Sequence, residues 1–147
     1  DSEPILKKIS DLTNKAMNGE IEFPKALEKR LELLNCNRIH IEETANLLKN
    51  KLSFSIRENA EIIQSIANRC FIISGGFKEV IYPTVKQFNI KYENIYANEL
   101  IYQKDQITSI NKTNVLSKNL GKVLVAKKLS GNNIIIGDEK NIGSTTK

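Results

Sequence analysis

The spacing of the apolar residues changes once along this chain, near residue 69, and this change limits the available folds more than any other feature. Before it, apolar residues recur at the three- and four-residue spacing of amphipathic helices. After it, a β-branched and aromatic run from Arg69 to Ser74 ends at Gly75-Gly76, and a helical pattern follows from Phe77 to Phe88. We therefore predict a helical first half, then a strand, a glycine turn and a helix.

The helical first half contains four separate patterns. Their approximate limits are Pro4 to Met17, Pro24 to the Asn35-Cys36-Asn37 segment, Ile41 to Leu52, and Ile56 to Ala67. Asn18-Gly19 is a typical stop after the first helix, and a proline is well placed at the start of the second. Ser55, with Glu58 three positions later, is the expected capping box of the fourth helix. The first two helices should form a hairpin.

The remaining elements alternate between strands and helices. We predict short strands within Asn94 to Leu100 and Ile101 to Ile110, a turn at Gln103-Lys104-Asp105, a helix from Val123 to Leu129, and a buried strand from Ile134 to Gly137. This alternation indicates an α/β fold with a mostly parallel sheet covered by helices. Ligands of such sheets bind beyond the carboxyl ends of the strands, where Ser74 and Asp138 should lie.

Composition and charge exclude several classes of protein. The 147 residues are 40% hydrophobic and 27% charged, as in ordinary globular domains, and no apolar run is long enough to cross a bilayer. Asp1-Ser2-Glu3-Pro4 does not resemble a secretory signal, and the two cysteines lack metal-ligand spacing, so we expect a cytoplasmic protein. The net charge of +5 comes from scattered lysines with few interleaved aromatics, which argues against nucleic-acid binding. His40, the sole histidine, is interpreted as a surface residue at a helix start.

Three short features could carry chemistry, and each has an ordinary alternative. Ser74-Gly75-Gly76 ends a strand and opens a helix, so it is either a phosphate cradle or a simple tight turn. Lys122, after Gly121, is either a cation at the same cleft or a solvated helix-start lysine. Asp138 is either a ligand for a hard cation such as Mg²⁺ or the cap of the following turn.

Six segments, in order along nearly the whole chain, give these weak features a common interpretation. They are Ala16 to Phe23 (AMNGEIEF), Leu27 to Leu34 (LEKRLELL), Phe71 to Phe77 (FIISGGF), Ile95 to Leu100 (IYANEL), Gly121-Lys122, and Ile135 to Asp138 (IIGD). In this order and spacing they resemble the phosphoserine phosphatases of the haloacid dehalogenase superfamily. The resemblance implies a Rossmann-like parallel sheet core, residues 38–147, with a small helical cap, residues 3–37.

The resemblance also implies an activity and a role for individual residues. The activity is Mg²⁺-dependent hydrolysis of O-phosphoserine through an aspartyl-phosphate intermediate. The implied roles are phosphate binding by Ser74 and Gly75, charge neutralisation by Lys122, Mg²⁺ binding by Asp138, recognition of the substrate carboxylate by Arg30, lining of the cap pocket by Met17, and substrate contact by Asn141. The implied partner is a small phosphorylated metabolite, and a homodimer is left open.

Two departures from the family pattern qualify these roles. The family opens with Asp-x-Asp-x-Thr or Asp-x-Asp-Ser, so Asp1-Ser2 is either the tail of that motif or a charged chain end. As the tail, Asp1 would be the general acid/base and a metal ligand, and the nucleophile would lie two positions earlier. The family's Gly-Asp-Gly-x-(Asn/Thr)-Asp is replaced by Gly137-Asp138-Glu139-Lys140-Asn141-Ile142, without the final acid. The alternatives are a related phosphatase or phosphotransferase, or an inactive anion-binding relative.

Overall fold

The computed structural model describes residues 3–129 and 131–137. Its main elements, in chain order, are helices α1 (Glu3–Met17), α2 (Phe23–Leu34), α3 (Arg38–Asn50), α4 (Phe54–Glu58) and α5 (Ala60–Ser65), strand β1 (Ile72–Phe77), helix α6 (Lys78–Val85), strands β2 (Ile95–Asn98), β3 (Leu100–Gln103) and β4 (Gln106–Ile110), and helix α7 (Gly121–Lys128). Within the described ranges, no helix combines the length and the apolar content needed to cross a membrane.

The first three predicted helices are present within a few residues of their expected limits. Helices α1 and α2 contact each other, as expected of a hairpin. Pro24 lies in the first turn of α2, and Asn35 ends that helix in the left-handed conformation with φ of 44°. His40 lies exposed in the first turn of α3, where its ring accepts from the Asn37 N–H while the Asn37 side chain accepts from the His40 N–H. This reciprocal pair confirms the helix-start prediction for His40.

The predicted helix from Ile56 to Ala67 is wrong in detail, because Asn59 divides it into α4 and α5. The Asn59 side chain donates to the Ser55 carbonyl at 2.8 Å, and the Asn59 backbone N–H donates to the same oxygen at 3.2 Å. An asparagine that satisfies a nearby carbonyl in this way competes with the regular helical bonds. The N-cap position of α4 is Ser53 rather than Ser55, and its side chain makes no capping bond.

Strands β1 and β2 pair in parallel, with Ile72 opposite Ile95 and Ile73 opposite Tyr96. Helix α6 follows β1 directly and packs on both strands, so the predicted strand and helix are present. The predicted glycine turn is wrong, because the pairing with β2 extends to Phe77, opposite Asn98, and both glycines lie inside β1. Strands β3 and β4 form an antiparallel hairpin whose turn contains Lys104 in the left-handed conformation. The buried core residues under β1 and β2 are Ala67, Phe88, Ile90, Ile95 and Ala97.

A second apolar cluster connects the helical hairpin to the β3–β4 hairpin. Its buried members are Leu27 from α2, Leu100 from β3 and Ile110 from β4. The partly buried rings of Phe23 and Tyr102 pack against it. This cluster fixes the start of α2 over the strands, because burial of large apolar side chains is the main stabilising contribution at such contacts.

The predicted buried strand from Ile134 to Gly137 is not formed. Ile134 and Ile136 are 91% and 93% exposed, and these residues carry no regular secondary structure. A β-branched run forms a strand only where neighbouring strands supply hydrogen bonds and packing, and no neighbour among residues 3–129 does so here. Asp138, which this strand was expected to present, lies outside the described residues.

Candidate functional site

The carboxyl end of β1 carries the predicted anion cradle, Ser74 with Gly75 and Gly76. The Gly76 N–H donates to the Ser74 Oγ at 3.0 Å. A hydroxyl that accepts this bond still has its own proton to donate to another group. Helix α6 begins at Lys78, two residues after Gly76, so its positive N-terminal end lies close to the same segment of β1. The segment therefore has the donors and the local field that suit an anion.

Gly75 is the point where three elements meet. A Cβ atom added to Gly75 would lie 3.4 Å from the Phe23 Cζ and 3.9 Å from the Lys122 Cε. Gly75 belongs to β1, Phe23 begins α2, and Lys122 is the second residue of α7. The structure thus brings Gly75 and Lys122 close together, whereas a shared anion site with Ser74 stays a prediction. Phe23 was not singled out from the sequence, because an aromatic residue at a helix start gives no local indication of a tertiary contact.

The backbone before α7 explains how Lys122 reaches this position. Gly121 is buried against a short 3-10 turn, Val115–Ser117, and an added Cβ would overlap the Val115 carbonyl oxygen. Asn114 fixes that turn, since its side-chain amide donates to the Ala97 carbonyl at 2.8 Å and its Oδ1 accepts from the Leu116 N–H. Ala97 lies in β2, so the start of α7 is held close to the carboxyl end of the parallel strands.

Asn98, the last residue of β2, is fully buried beside the cradle. Its Nδ2 donates to the Gly75 carbonyl oxygen at 2.9 Å. Its Oδ1 is buried and has no hydrogen-bond partner among the residues that the structure describes. Sequence reasoning did not single out Asn98, although an amide at the end of an apolar strand is an uncommon residue choice.

Glu79 connects the first turn of α6 to the start of β3. Its Oε1 accepts from the Leu100 N–H at 2.8 Å, while its Oε2 is buried and unpaired within the described ranges. Burial raises the pKa of the Glu79 carboxyl, and the bonds from backbone N–H groups oppose this rise only in part. The nearby Glu99 carboxylate raises the pKa further.

Arg30 and Met17 lie in the helical hairpin. The Arg30 Nη1 donates to the Thr13 Oγ1 at 3.3 Å, which links α2 to α1. The Arg30 Nε is buried and has no partner in the part of the chain that the structure describes, and burial lowers the pKa of this guanidinium. Met17 is 69% exposed at the end of α1. The described contacts therefore place Arg30 between helices and do not join either residue to Gly75 or Lys122.

The remaining predicted site residues, Asp1, Asp138 and Asn141, lie outside the described residues. Over residues 3–129 and 131–137, no group of three or more His, Cys, Asp or Glu side chains could hold a metal ion. Mg²⁺ is normally bound by carboxylate oxygens and water. The described residues alone do not fit a Mg²⁺ site, so the two expected ligands, Asp1 and Asp138, remain predictions.

Comparison with known proteins finds relatives that are phosphoserine phosphatases. No family model matches the chain. Human phosphoserine phosphatase is 30% identical over 122 residues, which are 82% of this chain and 54% of the relative. The phosphoserine phosphatase of Methanocaldococcus jannaschii is 27% identical over 145 residues, 92% of this chain and 65% of the relative. The chain thus spans about half to two thirds of the length of these two relatives.

A solved structure that resembles this chain has a similar name to these relatives. The phosphoserine phosphohydrolase-like protein of Francisella tularensis superposes with a TM-score of 0.71 and 31% identity, over 89% of this chain and 62% of that structure. The parallel β1–β2 pair, the helix that follows β1 and this likeness define an α/β protein with the Rossmann-like haloacid dehalogenase fold. Within that superfamily, the chain belongs to the phosphoserine phosphatase-like group.

Proposed function

We propose that this chain is part of a Mg²⁺-dependent phosphomonoesterase that hydrolyses O-phosphoserine to serine and phosphate. The observation that carries the proposal is the proximity of Lys122, at the start of α7, to Gly75, which follows Ser74 in β1. A phosphate monoester has two negative charges, and the cradle offers a hydroxyl donor, a helix N-terminus and a lysine. The choice of O-phosphoserine as the substrate rests on the names of the relatives, which are phosphoserine phosphatases.

Each residue of the cradle has a separate task in this proposal. Ser74 donates its hydroxyl proton to a phosphoryl oxygen, since its oxygen already accepts from Gly76. Gly75 leaves open the space beside Phe23 and Lys122 that a side chain would enter. Lys122 supplies a compact positive charge that stabilises the charge on the phosphoryl oxygens as the ester bond breaks.

The nucleophile of the proposed reaction is an aspartate two positions before Asp1, and Asp1 is the general acid and base. Asp1 would protonate the departing serine oxygen and then remove a proton from the attacking water. Mg²⁺, when bound by Asp1 and Asp138, would withdraw charge from the phosphoryl group. Neither Ser74 nor Lys122 replaces the nucleophile, because Lys122 serves as a cation and Ser74 has no base among its described hydrogen-bond partners.

Recognition of the serine part of the substrate is assigned to the helical cap. Arg30 is proposed to bind the substrate carboxylate, which suits the paired donors of a guanidinium. Its buried, unpaired Nε supports this role, because an unsatisfied buried donor is costly unless it serves a ligand. Met17 and Asn141 complete the proposed substrate contacts. Both cysteines are free thiols, and a cytoplasmic location is proposed.

Turnover by the full-length protein tests this function. Purified enzyme should release phosphate from O-phosphoserine when Mg²⁺ is present, and EDTA should abolish the release. Replacing the aspartate two positions before Asp1 with asparagine should remove turnover while the protein still binds orthophosphate. Turnover of other small phosphate esters but not of phosphoserine would indicate a related phosphatase. Phosphate binding without any turnover would indicate an inactive anion-binding relative.

A further inference from the structure

The peptide group between Gly75 and Gly76 is held at both of its ends. Its carbonyl oxygen, on Gly75, accepts from the Asn98 Nδ2 at 2.9 Å. Its N–H, on Gly76, donates to the Ser74 Oγ at 3.0 Å. A trans peptide is planar, with its carbonyl and its N–H on opposite sides, so these two bonds together fix the orientation of the plane. Asn98 and the Ser74 hydroxyl are thereby connected through one peptide.

The orientation of the Asn98 amide follows from its surroundings. If the amide were reversed, Oδ1 would face the Gly75 carbonyl, and two acceptors would oppose each other. With Nδ2 toward Gly75, Oδ1 is left buried and without a partner among the described residues. An unsatisfied buried acceptor costs about 1–3 kcal/mol. A residue that serves packing alone would avoid this cost, so the bond to Gly75 is the feature that this asparagine provides.

We propose that Asn98 is a positioning residue for the phosphate site, acting on Ser74 through the Gly75–Gly76 peptide. Asn98 donates to the Gly75 carbonyl, and the Gly76 N–H of the same peptide donates to the Ser74 Oγ. The Ser74 O–H is then the free donor at the end of this series of hydrogen bonds. Each bond polarises the next, so the hydroxyl is both oriented and strengthened as a donor. The role assigned to the hydroxyl rests on the proposed function, whereas the two hydrogen bonds do not.

A double-mutant cycle separates this role from general stabilisation. In the full-length protein, Asn98→Ala should lower kcat/KM for phosphoserine about tenfold, the effect of one well-placed hydrogen bond. In a Ser74→Ala background the same change should lower it less than about twofold, because the group through which Asn98 acts is gone. Asn98→Ser is measured in parallel, and its hydroxyl lies one bond closer to the backbone than the amide nitrogen of asparagine. This variant allows the cycle to be completed if the alanine variant does not fold.

Asn94 provides a matched control. Its Nδ2 donates to the Cys70 carbonyl at 3.2 Å, so it is a similar tether at the amino end of β2, away from the cradle. Asn94→Ala should lower the melting temperature while kcat/KM changes less than about twofold. An equal loss of kcat/KM from the Asn94 and Asn98 variants, or the same Asn98 effect with and without the Ser74 hydroxyl, would overturn the proposal.

The Kd for orthophosphate of the same set of variants is also measured by calorimetry, which gives a second double-mutant cycle. If the wild-type protein binds orthophosphate but does not hydrolyse phosphoserine, the proposed function fails, yet the coupling between Asn98 and Ser74 is still measured. Coupling in Kd then supports the positioning role, and additive effects overturn it. If the wild-type protein neither binds nor hydrolyses, both proposals are wrong.

Discussion

At the scale of single residues, substitution of Lys122 tests most directly whether a positive charge at the site contributes to activity. Replacing it with methionine keeps the length of the side chain beside Gly75 and removes its charge. We expect kcat/KM for phosphoserine to fall about 10²- to 10³-fold, as for other preorganised charge-stabilising groups. Lys127→Met, an exposed position in the last turn of the same helix, is the control and should change kcat/KM less than about twofold. Similar losses from the two variants would exclude a local role for Lys122.

The proposed role of Arg30 can be tested by comparing substrates that have and lack a carboxylate. We expect Arg30→Ala to raise KM for phosphoserine about tenfold or more and to change KM much less for phosphoethanolamine, which lacks the carboxylate. Thr13→Ala removes the hydrogen bond that Thr13 accepts from Arg30 and leaves the guanidinium in place, so it reports the structural part of the effect. If Arg30→Ala raises both KM values equally, Arg30 only connects the two helices.

At the scale of elements, the start of α7 depends on close contact at Gly121. Alanine has the higher helix propensity, so Gly121→Ala would stabilise an isolated helix by about 1 kcal/mol. In this fold, however, the added Cβ would overlap the Val115 carbonyl oxygen and lie 2.9 Å from the Leu116 Cα. We expect overpacking to dominate and to lower the free energy of unfolding by about 1–3 kcal/mol. Lys122→Ala, at the adjacent exposed position, should leave the melting temperature nearly unchanged.

The burial of the Glu79 carboxyl between α6 and β3 makes stability depend on pH. The pKa of Glu79 is raised in the folded protein, so the folded state binds more protons than the unfolded state between the ordinary carboxyl pKa of about 4.3 and the folded value. Stability from this group is complete below that window and is lost as the pH rises through the folded pKa. Glu79→Gln should therefore stabilise the protein relative to wild type at pH 8, and the gain should vanish near pH 4.

Thermal unfolding at several pH values checks the Glu79 prediction. Glu93→Gln, at an exposed residue of a 3-10 turn, is the control for a change in net charge. Its difference in melting temperature from wild type should stay small at every pH. A Glu79→Gln variant that is less stable than wild type at pH 8 would mean that the ionised carboxylate stabilises the contact with the Leu100 N–H.

The elements that the sequence predicted well are those with local causes. A β-branched run ending in two glycines predicted β1 and α6, and Gly121-Lys122 predicted the start of α7. Asn98 was missed because its role depends on a bond to a residue 23 positions away. The run from Ile134 to Ile136 was predicted as a strand on propensity alone, which is insufficient without a neighbouring strand. Local patterns thus predicted most of the elements, whereas tertiary contacts decided whether a strand forms and determined the details of the site.

At the scale of the whole molecule, the proposed activity depends on a single anion site between β1, α6 and α7. The most direct measurement is a crystal structure of the full-length protein with orthophosphate or tungstate. We predict that the anion lies within hydrogen-bond distance, about 2.7–3.2 Å, of both the Ser74 Oγ and the Lys122 Nζ, at the carboxyl end of β1. An anion bound elsewhere, or Ser74 and Lys122 side chains that face opposite sides of the sheet, would contradict the account.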